Sequence, residues 1–232
     1  MAGKRVHDAT GWGAAATYAD PCERAAASER DEESEGRCPV EERAVRMWRE
    51  AIQQVLISEA ELQRRVQALG RVITADYRGQ DLVFISVLKG AMVFIADLAR
   101  AVDLPLTIDF MALSSYGDSD ISSGTVRIVK DLDETITAKH VLIIEDIIDT
   151  GITLRYLWQH LMARQPADLS ICVLLDKRAR RRVDLPVKYR GFDVPDRFVV
   201  GYGLDYRGRY RNLPFIGTLG PEFLPEERPL DG

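Results

Sequence analysis

Residues 141–153 read VLIIEDIIDTGIT, and they limit what this chain can fold into more than any other segment. Residues 140–144 leave no polar face, as expected for a central parallel strand that is covered on both sides. Three acids follow within five residues, and then a Thr-Gly-Ile-Thr stretch. Because open α/β sheets bind ligands at the carboxyl ends of their strands, this segment predicts a ligand site directly after a buried strand.

The residues after this strand suit a phosphorylated sugar. Ionised Glu145 and Asp146 only accept hydrogen bonds, so they match ribose hydroxyls or a divalent cation. Thr150, Gly151 and Thr153 are expected to open a helix whose free N–H groups and hydroxyls cradle a phosphate. The alternative is that the acids only favour the positive end of the helix. Three acids directly after an apolar strand are costly to bury, and this favours a binding site.

The composition indicates one α/β core and argues against a nucleic-acid binder. A chain of 232 residues with 46% hydrophobic content fills one domain well and two poorly. The net charge of -5 disfavours broad nucleic-acid contact. Cys22, Cys38 and Cys172 lack metal-site spacing, and Cys172 lies in an apolar run, so we expect a buried thiol and a reducing, cytoplasmic setting. We expect no membrane segment, since no apolar stretch approaches the ~20 residues of a bilayer span.

Residues 1–44 are expected to form a disordered extension. They are rich in Ala, Glu and Arg, and six Lys/Arg stand against ten Asp/Glu. Such a segment buries too little apolar surface to order itself. We therefore place the folded domain at 45–225 and a short tail at 226–232.

Helices and strands alternate through the domain. Ser58 and Glu61 have capping-box spacing and predict an amphipathic helix that ends near residue 75. Alternation of this kind predicts a mainly parallel sheet flanked by helices. We expect strands at 82–87, 106–113, 125–129, 140–144, 169–175 and 198–201, and further helices at 91–101 and 150–163.

The stretch EDIIDTG at 145–151 resembles the phosphoribosyl-pyrophosphate signature of the type I phosphoribosyltransferase family, and its surroundings resemble the bacterial-type hypoxanthine-guanine branch. The similarity runs from about residue 55 to about residue 219. This resemblance implies a twisted, mainly parallel sheet with a small hood built from the N- and C-terminal segments. Four more motifs occur in the same order: VLKG at 87–90, LSSYG at 113–117, LDKR at 175–178 and FVVGYGLDY at 198–206.

The resemblance assigns a pyrophosphate site to Lys89, Gly90 and Arg211. A lone lysine after a strand is usually a solvated residue, so Lys89 is a candidate only through the family, in which a cis peptide precedes the matching lysine. In the family Asp205 lies near the base edge and a magnesium ion. The implied metal set is Glu145, Asp146 and Asp205, with Mg2+ as cofactor.

The resemblance also assigns a base site. Lys177 heads a basic run whose arginines, at 178 and 180–182, we interpret as solvated surface. An ammonium only donates, so Lys177 would pair with the 6-oxo group of hypoxanthine or guanine and not with the 6-amino group of adenine. Phe198 would stack on the purine and Val199 would read its edge, although spacing alone makes Phe198 ordinary strand core. Ile148 completes the predicted contacts.

Residues 113–130 have two interpretations. The polar stretch is either a long surface hairpin or, as the resemblance implies, a mobile lid that includes Ser115 and Tyr116. A lid would exclude water while a sugar cation develops.

Together these assignments predict purine salvage. The enzyme would transfer 5-phosphoribose from phosphoribosyl pyrophosphate to N9 of hypoxanthine or guanine, with Asp149 exchanging a proton with purine N7, and a homodimer or homotetramer is expected. Two alternatives stay open at this point: a phosphoribosyltransferase for adenine, xanthine or a pyrimidine, and a nucleic-acid-binding regulator that borrows the fold. The regulator would need a broad basic face or a DNA-binding domain, which the sequence does not indicate.

Overall fold

A six-stranded sheet organises the described part of the chain, which covers residues 51–115 and 126–223 of a computed structural model. Its strand order is β4-β3-β2-β5-β6-β7. Neighbouring strands are parallel from β3 to β7, and only β4 runs antiparallel to its neighbour. The predicted mainly parallel sheet is confirmed. Its strands are β2 (Leu82–Val87), β3 (Leu106–Ser115), β4 (Val126–Lys130), β5 (His140–Ile148), β6 (Asp168–Asp176) and β7 (Val187–Asp193).

Helices cover both faces of this sheet, which is why its central strands are apolar on both sides. Helix α1 (Glu59–Asp76) and helix α2 (Met92–Ala101) share one core cluster with alternate residues of β2 and β5. Helix α3 (Ile152–Met162) packs with the other residues of the same strands. Cys172 lies fully buried in β6 as a free thiol, as predicted, and burial raises its pKa far above the ordinary value. No helix in the described ranges has the length and apolar character needed to cross a bilayer.

The helix termini follow local chemistry. Ser58 caps α1 through the predicted capping box, in which its hydroxyl accepts from the Glu61 N–H and the Glu61 carboxylate accepts from the Ser58 N–H. The helix predicted at 150–163 begins two residues later than expected. Gly151 has φ 81°, a left-handed conformation that glycine adopts without strain, so Thr150 and Gly151 form the turn between β5 and α3.

A second, three-stranded sheet forms the predicted hood from both ends of the domain. It has the order β1-β9-β8 and is antiparallel throughout, with β1 (Ile52–Ile57), β8 (Val199–Val200) and β9 (Ile216–Leu219). The strand predicted at 198–201 is therefore two residues long and belongs to the hood, not to the main sheet. Residues 1–50 and 224–232 lie outside the described residues, so the boundaries drawn at 44 and 225 stay predictions.

Candidate active site

Strand β5 is longer than predicted and carries two of the three signature acids within it. Its pairing with β6 continues to Ile148, opposite Asp176. Glu145 and Asp146 therefore lie in the strand and not in the loop after it, and the loop begins at Asp149. Parallel pairing with β6 holds these acids at the carboxyl end of the sheet, where the sequence placed the ligand site.

Two glycines allow close packing of the loops next to Asp146. A Cβ at Gly90 would lie 1.9 Å from Oδ2 of Asp146, and a Cβ at Gly203 would lie 2.1 Å from the carbonyl oxygen of Gly90. Gly203 also has φ 101°, which a side chain would strain. Glycine at position 90 thus lets the loop after β2 approach this carboxylate, and glycine at position 203 lets the loop after β8 pack directly on the loop after β2.

The electrostatics at the two acids favour a cationic or donor-rich ligand. Burial raises the pKa of Asp146 to about 6, and the nearby Asp205 charge adds to this while Arg211 opposes it. Burial, and then the Asp146 charge, raises the pKa of Glu145 well above its ordinary range. Oε2 of Glu145 is buried and has no hydrogen-bond partner among the described residues. A buried carboxylate oxygen without a partner is costly in a folded protein, so Glu145 is consistent with a site that a ligand completes.

Asp205 and Arg211 form one unit beside Asp146. Nη2 of Arg211 lies 2.6 Å from Oδ1 of Asp205, and its Nη1 donates to the Gly203 carbonyl at 2.7 Å. The other oxygen of Asp205 accepts from the Gly208 N–H at 2.7 Å. The loop after β8 therefore presents an anchored guanidinium near the carboxylate of Asp146.

The amino terminus of α3 has the features of an anion-binding site. It has no side-chain cap and no acid in its first turn, whereas α1 has a full capping box and two acids there. This excludes the simple explanation that the signature acids serve as the cap of α3. Thr153 is exposed in the first turn, and the Thr150 hydroxyl accepts from the Ile152 N–H at 3.4 Å. Free N–H groups at such a helix end bind phosphate.

A cavity of about 440 Å³ opens beside Lys177 and Phe198. This volume falls in the range usual for small-molecule sites. Phe198 is 42% exposed and meets the Tyr206 ring edge-on at 5.5 Å, so it is not the ordinary strand core that spacing alone favours. Val199 is buried in the adjacent strand. The other residues that line the cavity are Gln53, Arg180, Asp196, Arg197, Thr218, Leu219 and Pro221.

Lys177 is buried, yet its charge is not used within the fold. It is 6% exposed, and its ammonium makes no ion pair or hydrogen bond with any described residue. Its backbone N–H donates to the Ile148 carbonyl at 3.0 Å, which ties it to the end of β5. Because Lys177 lines the cavity and its ammonium has no partner among the described residues, the ammonium is available to donate to a ligand acceptor.

Arg178, Arg180 and Arg182 are exposed, as the prediction of a solvated run requires, and the prediction is wrong only for Arg181. Arg181 is 17% exposed and donates from Nε and Nη2 to the two oxygens of Asp176, at 3.2 and 3.0 Å. The Asp176 side chain is fully buried, and Nε of Arg190 lies 2.6 Å from it. The sequence did not reveal this cluster, since the contact of Arg190 with Asp176 depends on the register of β6 and β7. The only signal was an acid at the end of an apolar strand.

Asp149 follows β5 directly, and its two carboxylate oxygens differ in their hydrogen-bond partners. Oδ2 accepts from Nη1 of Arg180 at 3.4 Å, and Oδ1 is buried with no hydrogen-bond partner in the described ranges. Arg180 is a second contact that the sequence did not reveal. The Ile148 side chain is 1% exposed and packs in the core, so only its backbone faces the site.

The remaining candidates lie at the rim. Lys89 is exposed, and the peptide bond between Leu88 and Lys89 is cis. Ser115 is the last described residue of β3, which pairs with β4 as a hairpin at Ser115 and Val126. Tyr116 lies outside the described residues, so the lid stays a prediction.

The acids suit a magnesium ion that is held partly by substrate. Among the described residues no three acidic, histidine or cysteine side chains converge as a ready-made metal cage. Magnesium usually keeps several waters and takes one or two carboxylates together with substrate phosphates. The orphaned oxygen of Glu145 and the adjacent Asp146 match that donor set.

Comparison with known proteins gives the class. The protein-family model that describes the phosphoribosyl transferase domain matches residues 53–207 of this chain. A hypoxanthine-guanine phosphoribosyltransferase of Mycobacterium avium is 51% identical over 176 residues, which cover 73% of this chain and 87% of that protein. One of Bacillus subtilis is 50% identical over 175 residues, or 75% of this chain and 97% of that protein. The crystal structure of a Staphylococcus aureus hypoxanthine phosphoribosyltransferase superposes with a TM-score of 0.73 at 48% identity, covering 76% of this chain and 96% of that one.

This chain therefore belongs to the phosphoribosyl transferase family. Within the family it groups with the hypoxanthine-guanine phosphoribosyltransferases. The resemblance stated from the five sequence motifs is confirmed, and so is the type I fold.

Proposed function

We propose that this enzyme transfers 5-phosphoribose from phosphoribosyl pyrophosphate to N9 of hypoxanthine or guanine. The bond from C1′ to the pyrophosphate oxygen breaks, the bond from C1′ to N9 forms, and IMP or GMP leaves with pyrophosphate. The purine gives up one ring proton in the process. This is a purine-salvage reaction, and relatives that are about 50% identical carry the name of that activity.

One observation carries the base specificity. Lys177, a largely buried residue, presents an ammonium that has no partner among the described residues to a cavity of suitable size, beside the half-exposed ring of Phe198. The ammonium can donate to a 6-oxo group and has nothing to offer a 6-amino group. Phe198 supplies a face for stacking the purine, and backbone groups of the adjacent Val199 read the purine edge.

The sugar phosphate binds along β5 and α3 in this proposal. The uncapped first turn of α3, with Thr150, Gly151 and Thr153, takes the 5′-phosphate. Glu145 and Asp146 take the ribose hydroxyls or the metal that bridges them. Their raised pKa values support this assignment, because a donor or cation from the ligand would favour the ionised carboxylates.

The leaving pyrophosphate lies between the two glycine-dependent loops. The Lys89–Gly90 loop supplies a cation and backbone N–H groups, and Arg211 supplies a guanidinium held in place by Asp205. Preorganised donors of this kind stabilise charge that develops on the leaving group. A bound Mg2+, held by Asp146, Glu145 or Asp205, would add neutralising charge at the pyrophosphate oxygens.

Asp149 is the proton-transfer group in this proposal. It stands between the phosphate cradle and the base cavity, and a carboxylate there can accept the proton of purine N7 as N9 attacks. Ser115 and Tyr116 would close over the sugar and exclude water. A cytoplasmic location and a homodimer or homotetramer complete the proposal, and the buried free thiol of Cys172 is consistent with a reducing compartment.

Replacing Asp149 with Asn tests its assignment. Asn keeps the shape of the side chain but cannot take the proton, so kcat should fall by about 10²-fold or more. The dissociation constant of phosphoribosyl pyrophosphate, measured by titration calorimetry, should change by less than about threefold. Unchanged turnover by D149N would remove Asp149 from catalysis.

A further inference from the structure

Arg180 connects the proposed proton-transfer group to the wall of the base cavity. Its Nη1 donates to Oδ2 of Asp149 at 3.4 Å, and its Nε lies 3.5 Å from Oδ1 of Asp196. Arg180 and Asp196 both line the cavity that holds Lys177. One guanidinium thus spans two carboxylates at the edge where a purine would sit.

The backbone around Arg180 is fixed to both halves of the site. Its N–H donates to the carbonyl of Lys177 at 3.0 Å, within a short 3-10 helix at Arg178–Arg180. Two residues later, the Arg182 N–H donates to the Thr150 carbonyl at 3.0 Å. Arg180 therefore lies in a segment whose backbone is hydrogen-bonded both to the proposed phosphate site, at Thr150, and to Lys177, the residue proposed to contact the base.

The pair of Arg180 and Asp149 is too exposed to be explained by stability. The side chains are 51% and 37% exposed. Ion pairs in such positions contribute little to stability, since water screens the charges. A guanidinium is rigid and directional, however, and it fixes the plane of a carboxylate that it contacts. A carboxylate has about four acceptor positions, so Asp149 can accept from Arg180 and from a purine N–H together.

We propose that Arg180 is a positioning residue that holds the Asp149 carboxylate toward purine N7. The inference rests on the proposed function and adds a residue to it. Arg180 does not exchange the proton. It limits the rotation of Asp149, so the carboxylate meets the purine in a geometry suitable for transfer. Loss of Arg180 should lower turnover and leave sugar-phosphate binding intact.

The test compares R180M, R180K and R178M by steady-state kinetics with hypoxanthine and phosphoribosyl pyrophosphate. Arg178 is the matched control because it lies in the same short helix and is 60% exposed, but pairs with Asp193 at 3.0 Å instead of Asp149. We expect R180M to lower kcat about tenfold, a part of the 10²–10⁴-fold typical of acid–base groups. The KM for phosphoribosyl pyrophosphate should stay within about twofold. R180K should recover kcat to within about threefold of the unaltered enzyme, and R178M should change it less than twofold.

Several outcomes would overturn the inference. An R180M variant that lowers kcat no more than R178M does, or an R180K variant as slow as R180M, means that the guanidinium does not position Asp149. Thermal unfolding checks that each variant is folded, and R180Q replaces R180M if the latter does not fold. An unaltered enzyme that forms no IMP would refute the proposed function itself, which the other outcomes leave standing.

Discussion

Replacing Gly90 with Ala should disable the enzyme while leaving it folded. The new Cβ would lie 1.9 Å from Oδ2 and 2.8 Å from Cγ of Asp146. Ordinary contacts between heavy atoms lie at about 3.5–4.0 Å, so the two groups must separate by more than about 1 Å. The Asp146 carboxylate can turn away, which spares the fold but removes it from the sugar and metal site.

The expected magnitude follows from that displacement. A misplacement of about 1 Å in a catalytic geometry can lower the rate by about 10²-fold. We therefore expect G90A to lower kcat/KM for phosphoribosyl pyrophosphate by about 10²-fold, measured by IMP formation. G79A is the matched control, since Gly79 has φ 77° and nothing within 4 Å of the new Cβ. Its left-handed conformation costs an alanine roughly 1–2 kcal/mol, so G79A should lower the unfolding midpoint and keep kcat/KM unchanged. A G90A variant with more than a third of normal kcat/KM, or a G79A variant as inactive as G90A, would refute the reasoning.

Two further predictions concern stability. The pKa of Asp146 is raised to about 6 in the fold from 3.8, so the folded ligand-free protein holds a proton that the unfolded chain releases. The associated stability is present below the unfolded pKa and is lost as pH rises through about 6, by at most about 3 kcal/mol. Between about pH 4.5 and pH 7.5, the free energy of unfolding of D146N, measured by urea titration, should therefore fall less than that of the unaltered protein. An equal fall in both proteins would contradict the raised pKa of Asp146. Replacing Asp176 with Ala should lower the free energy of unfolding by roughly 3–5 kcal/mol, because it leaves Arg181 and Arg190 without their buried partner. A loss below about 1 kcal/mol would show that the pairs do not support the fold.

The main sheet could be predicted because its information is local. Residues 140–144 are apolar on both faces and Ser58 begins a capping box, so β5 and α1 follow from short stretches of sequence. The hood strands β1 and β9 could not be placed in this way. They are short, and they pair with each other across most of the chain, Ile52 with Leu219. The hood was predicted from the family resemblance and not from local periodicity.

The site could be predicted where a residue lies in a motif of the family. Lys177 and Asp149 were identified by that resemblance, and the donor-only ammonium of Lys177 then favoured a 6-oxopurine. Arg180 and Arg181 were interpreted as solvated because a basic run usually is. The parallel register of β5 and β6 brings Asp149 to Arg180, and no local pattern specifies that register. Arg181 contacts Asp176 through the turn that follows β6.

The most direct test of the central claim is a panel of bases assayed with phosphoribosyl pyrophosphate and Mg2+, with nucleotide and pyrophosphate both measured. Hypoxanthine or guanine should give IMP or GMP and pyrophosphate in equal amounts. Adenine should react at least about 10³-fold more slowly, because its 6-amino group cannot accept a hydrogen bond from the ammonium of Lys177 in the cavity. Faster conversion of adenine or uracil, or no pyrophosphate from any base, would contradict the claim that this is a 6-oxopurine phosphoribosyltransferase.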